Sequence, residues 1–251
     1  ENQGIVFKRL DLPGAPSLPA HVDYVRGTPR CTIIGKNGTS IQTVEHILSA
    51  LMGCEIDNVT IEIDGPEVPI LDGSSMGFVE LIDKVGVSIQ KSSKRILRIT
   101  SPVYWSKGDV HLVALPADEF RISYTLSYPS SPLLRAQFYS TTITEETYKT
   151  EIAPCRTFSL YEETVPLIEQ GLIKGGSLEN ALVIKGDAVL NPEGLRFPDE
   201  MVRHKILDMV GDLSLTGLQP CVHVIAIRSG HHSNTSFAKE LLNQLNEESE
   251  Q

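Results

Sequence analysis

Residues 199–215 limit the possible fold and function of this chain more than any other segment, because charged groups interrupt an apolar helical repeat there at fixed intervals. Apolar residues recur at three- and four-residue spacings, which predicts a helix from Asp199 to Leu215. His204 and Asp208 are four residues apart, so they lie on one face of that helix. An imidazole and a carboxylate at this spacing form half of a divalent-metal site, and zinc needs one more protein ligand to catalyse hydrolysis. The alternative is a hydrogen-bonded helical pair, but a charge on this buried face is costly without a partner.

A second segment, residues 43–46, offers the missing ligand. Apolar residues at helical spacing predict a helix that ends at Gly53, and the residues concerned are Ile41, Val44, Ile47, Leu48 and Leu51. Glu45 and His46 lie inside it. A single histidine on an apolar helix face is more commonly a core residue than a ligand. Here the adjacent Glu45 favours a zinc site, because hydrolysis needs a carboxylate that accepts a proton from water.

A third polar segment, residues 229–234, contains two neighbouring histidines, His231 and His232. We predict a turn here, between an apolar strand at residues 222–227 and a final helix at residues 235–245. Asp212 lies eight positions after His204, near the same helix face, and can orient an imidazole. Either His231 or His232 is the candidate, as a charged general acid. Together the three segments predict a metallohydrolase.

The bulk properties exclude several other classes of protein. The chain has 251 residues and a formal net charge of -10, so unspecific attraction to nucleic acid or anionic membrane is excluded as a main activity. Its four cysteines are scattered singly, which fits neither a disulfide framework nor a thiolate zinc site, and this indicates a reducing cytoplasm. No apolar run approaches the roughly 20 residues of a spanning helix. The chain starts at Glu1 without Met, so we expect part of the first domain to be missing.

A composition break at residues 90–94 divides the chain. We place a first domain at residues 1–92 and a second at residues 93–251. Strands are predicted at residues 4–10, 31–34, 58–63, 96–99, 110–115, 178–184 and 222–227. A further helix runs to about Val85 with Asp72 or Ser74 as its N-cap, and a shorter one spans residues 162–171.

Several short motifs resemble those of one bacterial enzyme family. They are Thr43-Val44-Glu45-His46, Pro69-Ile70-Leu71-Asp72-Gly73-Ser74, Arg156-Thr157-Phe158, Gly175-Gly176-Ser177, Leu195-Arg196-Phe197, Arg203-His204-Lys205 with Asp208 and Gly211-Asp212, and Ser229-Gly230-His231. In this order and over nearly the whole chain, they resemble the LpxC family, UDP-3-O-acyl-N-acetylglucosamine deacetylase. The family's opening segment, which contains a Gly-x-Gly-x-His-type strand, is absent here.

The resemblance implies an α+β fold of two domains. Each is a β-sheet with helices on one face, and the two pack helix layer against helix layer as a β-α-α-β sandwich. An insert at about residues 159–195 is implied to form a passage for the substrate's acyl chain, lined by Leu160, Val165, Leu167, Ile168, Leu172 and Ile173. For each of these residues, ordinary core packing is the competing interpretation.

The resemblance also implies the chemistry. Zinc-dependent hydrolysis would remove the N-acetyl group of UDP-3-O-acyl-N-acetylglucosamine, the committed step of lipid A biosynthesis. The metal ligands would be His46, His204 and Asp208, and the ion would be Zn²⁺, with Fe²⁺ possible because such a site accepts either. The implied catalytic residues are Glu45 as base, Thr157 at the oxyanion, and His231 as acid oriented by Asp212.

The implied substrate-binding residues are Lys205, Arg228, Tyr128 and Phe158. Lys205 would contact the substrate near the metal, Arg228 stands where the family has a lysine for the diphosphate, and Tyr128 would stack on uracil. The expected partner is the acylated UDP-sugar alone, with no nucleic acid and no stable membrane insertion. We expect a cytoplasmic monomer.

Two other functions compete with this one. A zinc amidase or peptidase acting on another acylated amine would share the metal chemistry, although the chain lacks the His-Glu-x-x-His pair of helical metalloproteases. A nucleotide-sugar or acyl-chain binding module that has lost catalysis is the non-enzyme alternative. Competition by UDP separates the two enzymes, and metal analysis separates both from the binding module.

Overall fold

The fold is α+β, with sheets on the outside and a double layer of helices between them. A computed structural model describes residues 2–164 and 177–249. The helices are α1 (Glu45–Gly53), α2 (Met76–Val85), α3 (Glu145–Thr147, continued by a π-helical turn at Tyr148–Ile152), α4 (Glu200–Ser214) and α5 (His231–Ser249). Within the described residues, none of these helices is both long and apolar enough to cross a membrane.

The first half of the chain forms two small sheets with α1 and α2. The strands are β1 (Ile5–Arg9), β2 (Ser17–Pro19), β3 (Val25–Gly27), β4 (Ile33–Lys36), β5 (Thr39–Ile41) and β6 (Val59–Ile63). Strand β1 is central in the order β2-β1-β6 and runs parallel to β6, while β3, β4 and β5 form an antiparallel meander. The alternation of Val59, Ile61 and Ile63 gives β6 one apolar face, as predicted.

The second half is built on a five-stranded sheet of order β11-β10-β16-β9-β8. Its strands are β8 (Val103–Lys107), β9 (Val110–Pro116), β10 (Arg121–Leu126), β11 (Gln137–Thr142) and β16 (Val222–Ile227). Strand β16 is central and pairs parallel to β10 and antiparallel to β9. Both α4 and α5 contact this sheet. The chain leaves β16 at Ile227 and enters α5 at His231.

Shorter strands complete the second half. β7 (Ile96–Leu97) pairs with β15 (Gln219–Pro220), and a small sheet of order β12-β13-β14 comprises β12 (Phe158–Leu160), β13 (Leu182–Lys185) and β14 (Ala188–Val189). The small sheet lies within the predicted acyl-passage insert. Residues 161–164 are helical, and the remainder of the helix predicted at residues 162–171 lies outside the described residues. Both glycines of the Gly175-Gly176-Ser177 motif also lie outside them. The same is true of every predicted passage residue except Leu160, namely Val165, Leu167, Ile168, Leu172 and Ile173.

The two halves meet where α1 packs against α4. A Cβ placed on Gly211 of α4 would lie 2.1 Å from the carbonyl oxygen of Glu45 in α1, so only a glycine permits this approach of the two backbones. A second close contact joins Gly53, at the end of α1, to the ring of the fully buried Tyr148. The helix layers therefore touch at backbone distance next to Glu45 and His46.

We propose the domain boundary between residues 92 and 93. Among the strand pairings within residues 2–164 and 177–249, each joins two strands on the same side of that point. The isolated bridge from Gln42 to Glu67 also stays within the first half. The most extensive contact between the halves is that of α1 with α4, which is the arrangement expected of two sheet-and-helix units stacked face to face.

The structure corrects the prediction for residues 229–234. His231 and His232 were predicted in a turn before a helix starting at Thr235, but α5 begins at His231. The Asn234 N–H donates to the Gly230 carbonyl at 2.8 Å, which closes the first helical turn. Histidine, serine and asparagine are weak helix formers, so local propensity misplaced the start. Tertiary hydrogen bonds of this turn to Asp212 compensate for that weakness.

Other helix and strand ends also moved. Ile41 belongs to β5, and α1 starts only at Glu45. The N-cap position of α2 is Ser75, not Asp72 or Ser74, although the Ser74 hydroxyl accepts the Met76 N–H at 3.1 Å. The strand predicted at residues 178–184 is shorter, because residues 177–180 form a turn closed by hydrogen bonds between the two end residues.

Candidate metal centre and proton-transfer site

Three predicted ligands from both halves of the chain converge at the α1–α4 contact. His46 lies in the first turn of α1, while His204 and Asp208 lie one turn apart on α4. One ligand atom from each can be chosen so that all three lie within 4.8 Å of one another. Asp208 Oδ1 is 3.2 Å from His204 Nε2 and 3.7 Å from His46 Nε2. The three side chains are almost completely buried.

The two oxygens of Asp208 have different surroundings. Lys205 Nζ donates to Oδ2 at 2.7 Å, but Oδ1 has no hydrogen-bond partner among the described residues. A buried carboxylate oxygen without a partner is costly, and coordination of a cation removes that cost. Burial opposes the charge of Asp208, but the imidazole of His204 first, and then the charges of Lys205 and His231, hold its pKa well below its usual range. Asp208 is therefore ionised and offers one free oxygen toward two imidazoles.

The ring nitrogens of the histidines suit a cation at the same point. His204 Nδ1 is 3.0 Å from the carbonyl oxygen of Cys155, which can only accept, so Nδ1 carries a proton. In the neutral ring, Nε2 then presents its lone pair toward Asp208 Oδ1. Burial lowers the pKa of His46, which favours the neutral imidazole that binds metals. Two neutral imidazoles and one carboxylate around a buried point are a ligand set that zinc accepts.

A hydrogen-bonded chain links the predicted base to the predicted acid. The Thr32 N–H donates to Glu45 Oε2 at 2.9 Å, and the Thr32 hydroxyl donates to Asp212 Oδ1 at 2.6 Å. The other oxygen of Asp212, Oδ2, is 2.9 Å from His231 Nδ1 and also accepts the Asn234 amide at 2.9 Å. His231 Nε2 is 3.8 Å from Glu45 Oε1. Glu45 and His231 therefore face each other across a short gap.

The environment moves the pKa values of this pair in useful directions. Burial raises the pKa of Glu45 to about 7, with a lowering contribution from His231 that only partly opposes it. Burial opposes the charge on His231, but Asp212 first, and then Asp208 and Glu45, raise its pKa to about 10. At neutral pH His231 is therefore a charged donor, while Glu45 exchanges protons near the working pH, as a general base should.

The segment that carries Thr157 and Phe158 is docked onto the start of α4. Its buried neighbour Arg156 donates from Nε and from its backbone N–H to Glu200 Oε1 at 2.8 and 3.0 Å. Four residues after Glu200, His204 bonds to the Cys155 carbonyl. The Thr157 N–H donates to the Gly73 carbonyl, and the Thr157 carbonyl accepts a hydrogen bond from the Leu182 N–H. The Thr157 side chain is half-buried. These contacts explain motifs that sequence analysis noted without a role, including Arg156 itself.

The remaining predicted residues lie on two sides of the ligands. Phe158 packs edge to face on His204 with ring centroids 6.5 Å apart, and Tyr128 packs on Phe158 at 6.0 Å. Lys205 lies over the Phe158 ring at 5.6 Å. Arg228 is on the opposite side, next to His231, where it is exposed and faces Asp109 at 3.4 Å.

A cleft of about 520 Å³ opens beside His231. Its cationic side chains are Arg30, Lys107 and Arg228, and the first turn of α5 forms part of the wall. Cations around a helix N-terminus attract anions, because the unpaired backbone N–H groups and the helix dipole add to the charge. This cleft is suited to bind a phosphate-bearing group next to the proton-transfer pair.

Sequence reasoning missed the residues that hold the predicted acid and base in place. Thr32 and Asn234 bind Asp212, and the Cys155 carbonyl fixes the tautomer of His204. Thr32 and Cys155 act partly or wholly through backbone atoms, which leave no residue-type pattern. One signal was available for Asn234: it lies three residues after His231, so in a helix both share a face. The predicted turn concealed that spacing.

Comparison with known proteins agrees with the resemblance. The model of the LpxC family, described as UDP-3-O-acyl N-acetylglycosamine deacetylase, matches residues 1–243. A UDP-3-O-acyl-N-acetylglucosamine deacetylase of Chlamydia pneumoniae is 49% identical over 245 residues, which cover 97% of this chain and 87% of the relative. The enzyme of the same name from Chlamydia trachomatis serovar D is 46% identical over 250 residues, with 100% and 87% covered.

Proposed function

This chain belongs to the LpxC family of deacetylases, and we propose that it hydrolyses the N-acetyl group of UDP-3-O-acyl-N-acetylglucosamine with a zinc ion. The products are acetate and UDP-3-O-acyl-glucosamine, in the committed step of lipid A biosynthesis. We also propose that the protein acts as a cytoplasmic monomer.

One observation carries the metal dependence. Asp208 Oδ1 is buried, ionised and unpartnered among the described residues, and it faces the Nε2 atoms of His46 and His204. We assign these three side chains as the ligands. A bound zinc ion supplies a Lewis acid that polarises the amide carbonyl and makes water more acidic. The ligand set also accepts Fe²⁺.

The residues around the ligands divide the proton transfers. Glu45 accepts a proton from the attacking water, and its Oε1 is the oxygen left free by Thr32. The Thr157 hydroxyl donates to the carbonyl oxygen of the amide as negative charge develops there. His231, charged through Asp212, donates a proton to the departing sugar amine. Glu45 Oε1 and His231 Nε2 are 3.8 Å apart, which is close enough for both side chains to act on one reacting amide.

Substrate binding uses the surroundings of the same centre. We propose that Arg228 binds the diphosphate in the cationic cleft beside His231, with Arg30 and Lys107 on its other walls. Lys205 and Phe158 contact the sugar on the ligand side, and Tyr128 provides an aromatic face for uracil. An arginine at position 228 offers two parallel donors to a phosphate, which a lysine cannot.

The substitution Glu45→Ala tests the function. Purified wild-type protein loaded with zinc should release acetate from UDP-3-O-acyl-N-acetylglucosamine, whereas Glu45→Ala should keep one zinc per chain and lose about a hundredfold to ten-thousandfold in kcat, the typical range for a general base. Glu62→Ala is the matched control, because Glu62 makes only an exposed ion pair with Lys8. Wild-type protein that binds zinc but releases no acetate contradicts the function, and unchanged turnover in Glu45→Ala removes that residue from it.

A further inference from the structure

Thr32 contacts both carboxylates of the proton-transfer site. It is completely buried just before β4, in the first half of the chain. Its backbone N–H donates to Glu45, and its hydroxyl donates to Asp212, which lies 180 residues away on α4. In the described part of the chain, these are the hydrogen bonds that tie the predicted base to the carboxylate behind the predicted acid. Neither bond involves a metal ligand.

Each bond selects one of two chemically equivalent oxygens. Thr32 occupies Glu45 Oε2, so Oε1 is the oxygen that faces His231 Nε2 at 3.8 Å. Thr32 also occupies Asp212 Oδ1, so Oδ2 is the oxygen that binds His231 Nδ1. A hydrogen bond to one oxygen opposes the rotation that would exchange the two ends of a carboxylate. A single threonine therefore contributes to the orientation of both carboxylates, while Asn234 holds the second oxygen of Asp212.

We propose that Thr32 is a positioning residue that holds Glu45 and Asp212 in register across the contact between the two halves of the protein. The inference rests on the proposed deacetylase function for its kinetic consequence, but the geometry stands without it. Without the Thr32 hydroxyl, Asp212 Oδ1 loses its donor in a buried setting, and the carboxylate is held at Oδ2 alone, by His231 and Asn234, about which it can pivot. His231, held by Asp212, then moves relative to Glu45.

Substitutions of Thr32 separate the hydroxyl from the shape of the side chain. Thr32→Val keeps the branched shape and removes the hydroxyl, whereas Thr32→Ser keeps the hydroxyl. We expect Thr32→Val to lower kcat by about tenfold to a hundredfold, since misplacement by about 1 Å has effects of that size, with KM changed less than about twofold. Thr32→Ser should restore most of kcat. Thr141→Val is the control, because Thr141 is a buried strand threonine with one long local hydrogen bond of 3.3 Å.

A double-mutant cycle distinguishes positioning from general support of the fold. If Thr32 acts through Asp212, Thr32→Val should add less than about twofold to the loss in Asp212→Ala, because coupled residues are not additive. Zinc content, measured on the same preparations, should stay at the wild-type value in Thr32→Val. Losses in kcat that multiply in the double variant, or loss of zinc together with kcat, would overturn the inference.

A spectroscopic measurement keeps the inference separate from the proposed function. The imidazole N–H of His231 bonded to Asp212 should give a downfield proton resonance, absent in His231→Gln, that is weakened by exchange with water in Thr32→Val and kept in Thr32→Ser. Wild-type protein that releases no acetate rejects the deacetylase function, while this resonance still decides the role of Thr32. An unchanged resonance in Thr32→Val overturns the inference, whatever the activity.

Discussion

The substitution Gly211→Ala should separate the two halves of the metal centre. A Cβ at this position would lie 2.1 Å from the Glu45 carbonyl oxygen and 2.8 Å from its carbon. Both are backbone atoms, so no side chain can rotate away. To reach 3.0 Å, the shortest separation that real Cβ atoms tolerate, α1 and α4 must move apart by about 1 Å. That movement separates His46 from His204 and Asp208.

Two opposing free energies set the magnitude. Alanine in place of a helical glycine gains about 0.5–1 kcal/mol of helix stability. Overpacking costs about 1–3 kcal/mol, and here the upper end applies because the contact is between backbones. We therefore expect the free energy of unfolding of the metal-free protein to fall by about 2–2.5 kcal/mol. A shift of about 1 Å exceeds the roughly 0.2 Å tolerance of metal-ligand distances, so zinc affinity should fall at least tenfold.

Urea unfolding of the metal-free protein and chelator competition for zinc measure the two effects. Gly77→Ala is the control, because a Cβ there meets the Leu71 Cδ1 atom at 2.8 Å, the end of a half-exposed side chain that can turn aside. The control should keep the zinc affinity and lie within about 0.5 kcal/mol of wild-type stability. If Gly211→Ala binds zinc as tightly as wild type and is equally stable, the close backbone contact does not exist.

Three further predictions concern charge. Values of kcat/KM should rise with pH as Glu45 loses its proton, at or below its metal-free pKa of about 7, and should fall as His231 loses its proton near pH 10. The substitution Asp212→Asn should move the alkaline limb of this profile to lower pH, because the negative charge that opposes the effect of burial on the pKa of His231 is then removed. Asp208→Ala should lower zinc content in metal analysis after dialysis, and full occupancy would exclude its role as a ligand. Glu200→Gln should lower the free energy of unfolding by about 3 kcal/mol in urea, since it removes the buried carboxylate that pairs with Arg156, while Glu193→Gln, whose carboxylate is half-exposed, should lower it much less.

Sequence periodicity predicted the long elements well because their apolar faces are continuous. The helix expected at residues 199–215 is α4 at residues 200–214, and the strands expected at residues 58–63 and 222–227 begin within one residue of β6 and β16. The resemblance to a family supplied the fold class. Periodicity failed at residues 231–234, where α5 starts because side chains bind Asp212 on another helix. A tertiary contact of that kind has no local pattern.

The candidate site shows the same division between local and tertiary information. The spacing of His204 and Asp208 is local, and so is the adjacency of Glu45 and His46, so residue types alone indicated these four. Selection between His231 and His232 was open from spacing, and the structure places His231 Nδ1 against Asp212. Thr32 could not be found, because one of its two bonds uses the backbone and the other crosses 180 residues of chain.

The division of the site between two halves has an energetic consequence. His46, Glu45 and Thr32 come from the first half, while His204 and Asp208 lie on α4 in the second. Neither half holds all three proposed ligands, so the proposed metal binding would require the packed helix layers and would stabilise them in return. The added stability grows as RT ln(1 + [metal]/Kd), about 2.7 kcal/mol at a hundredfold excess over Kd. Packing at the helix contact and metal affinity are therefore two measurements of one linked equilibrium, and a substitution that loosens one must weaken the other.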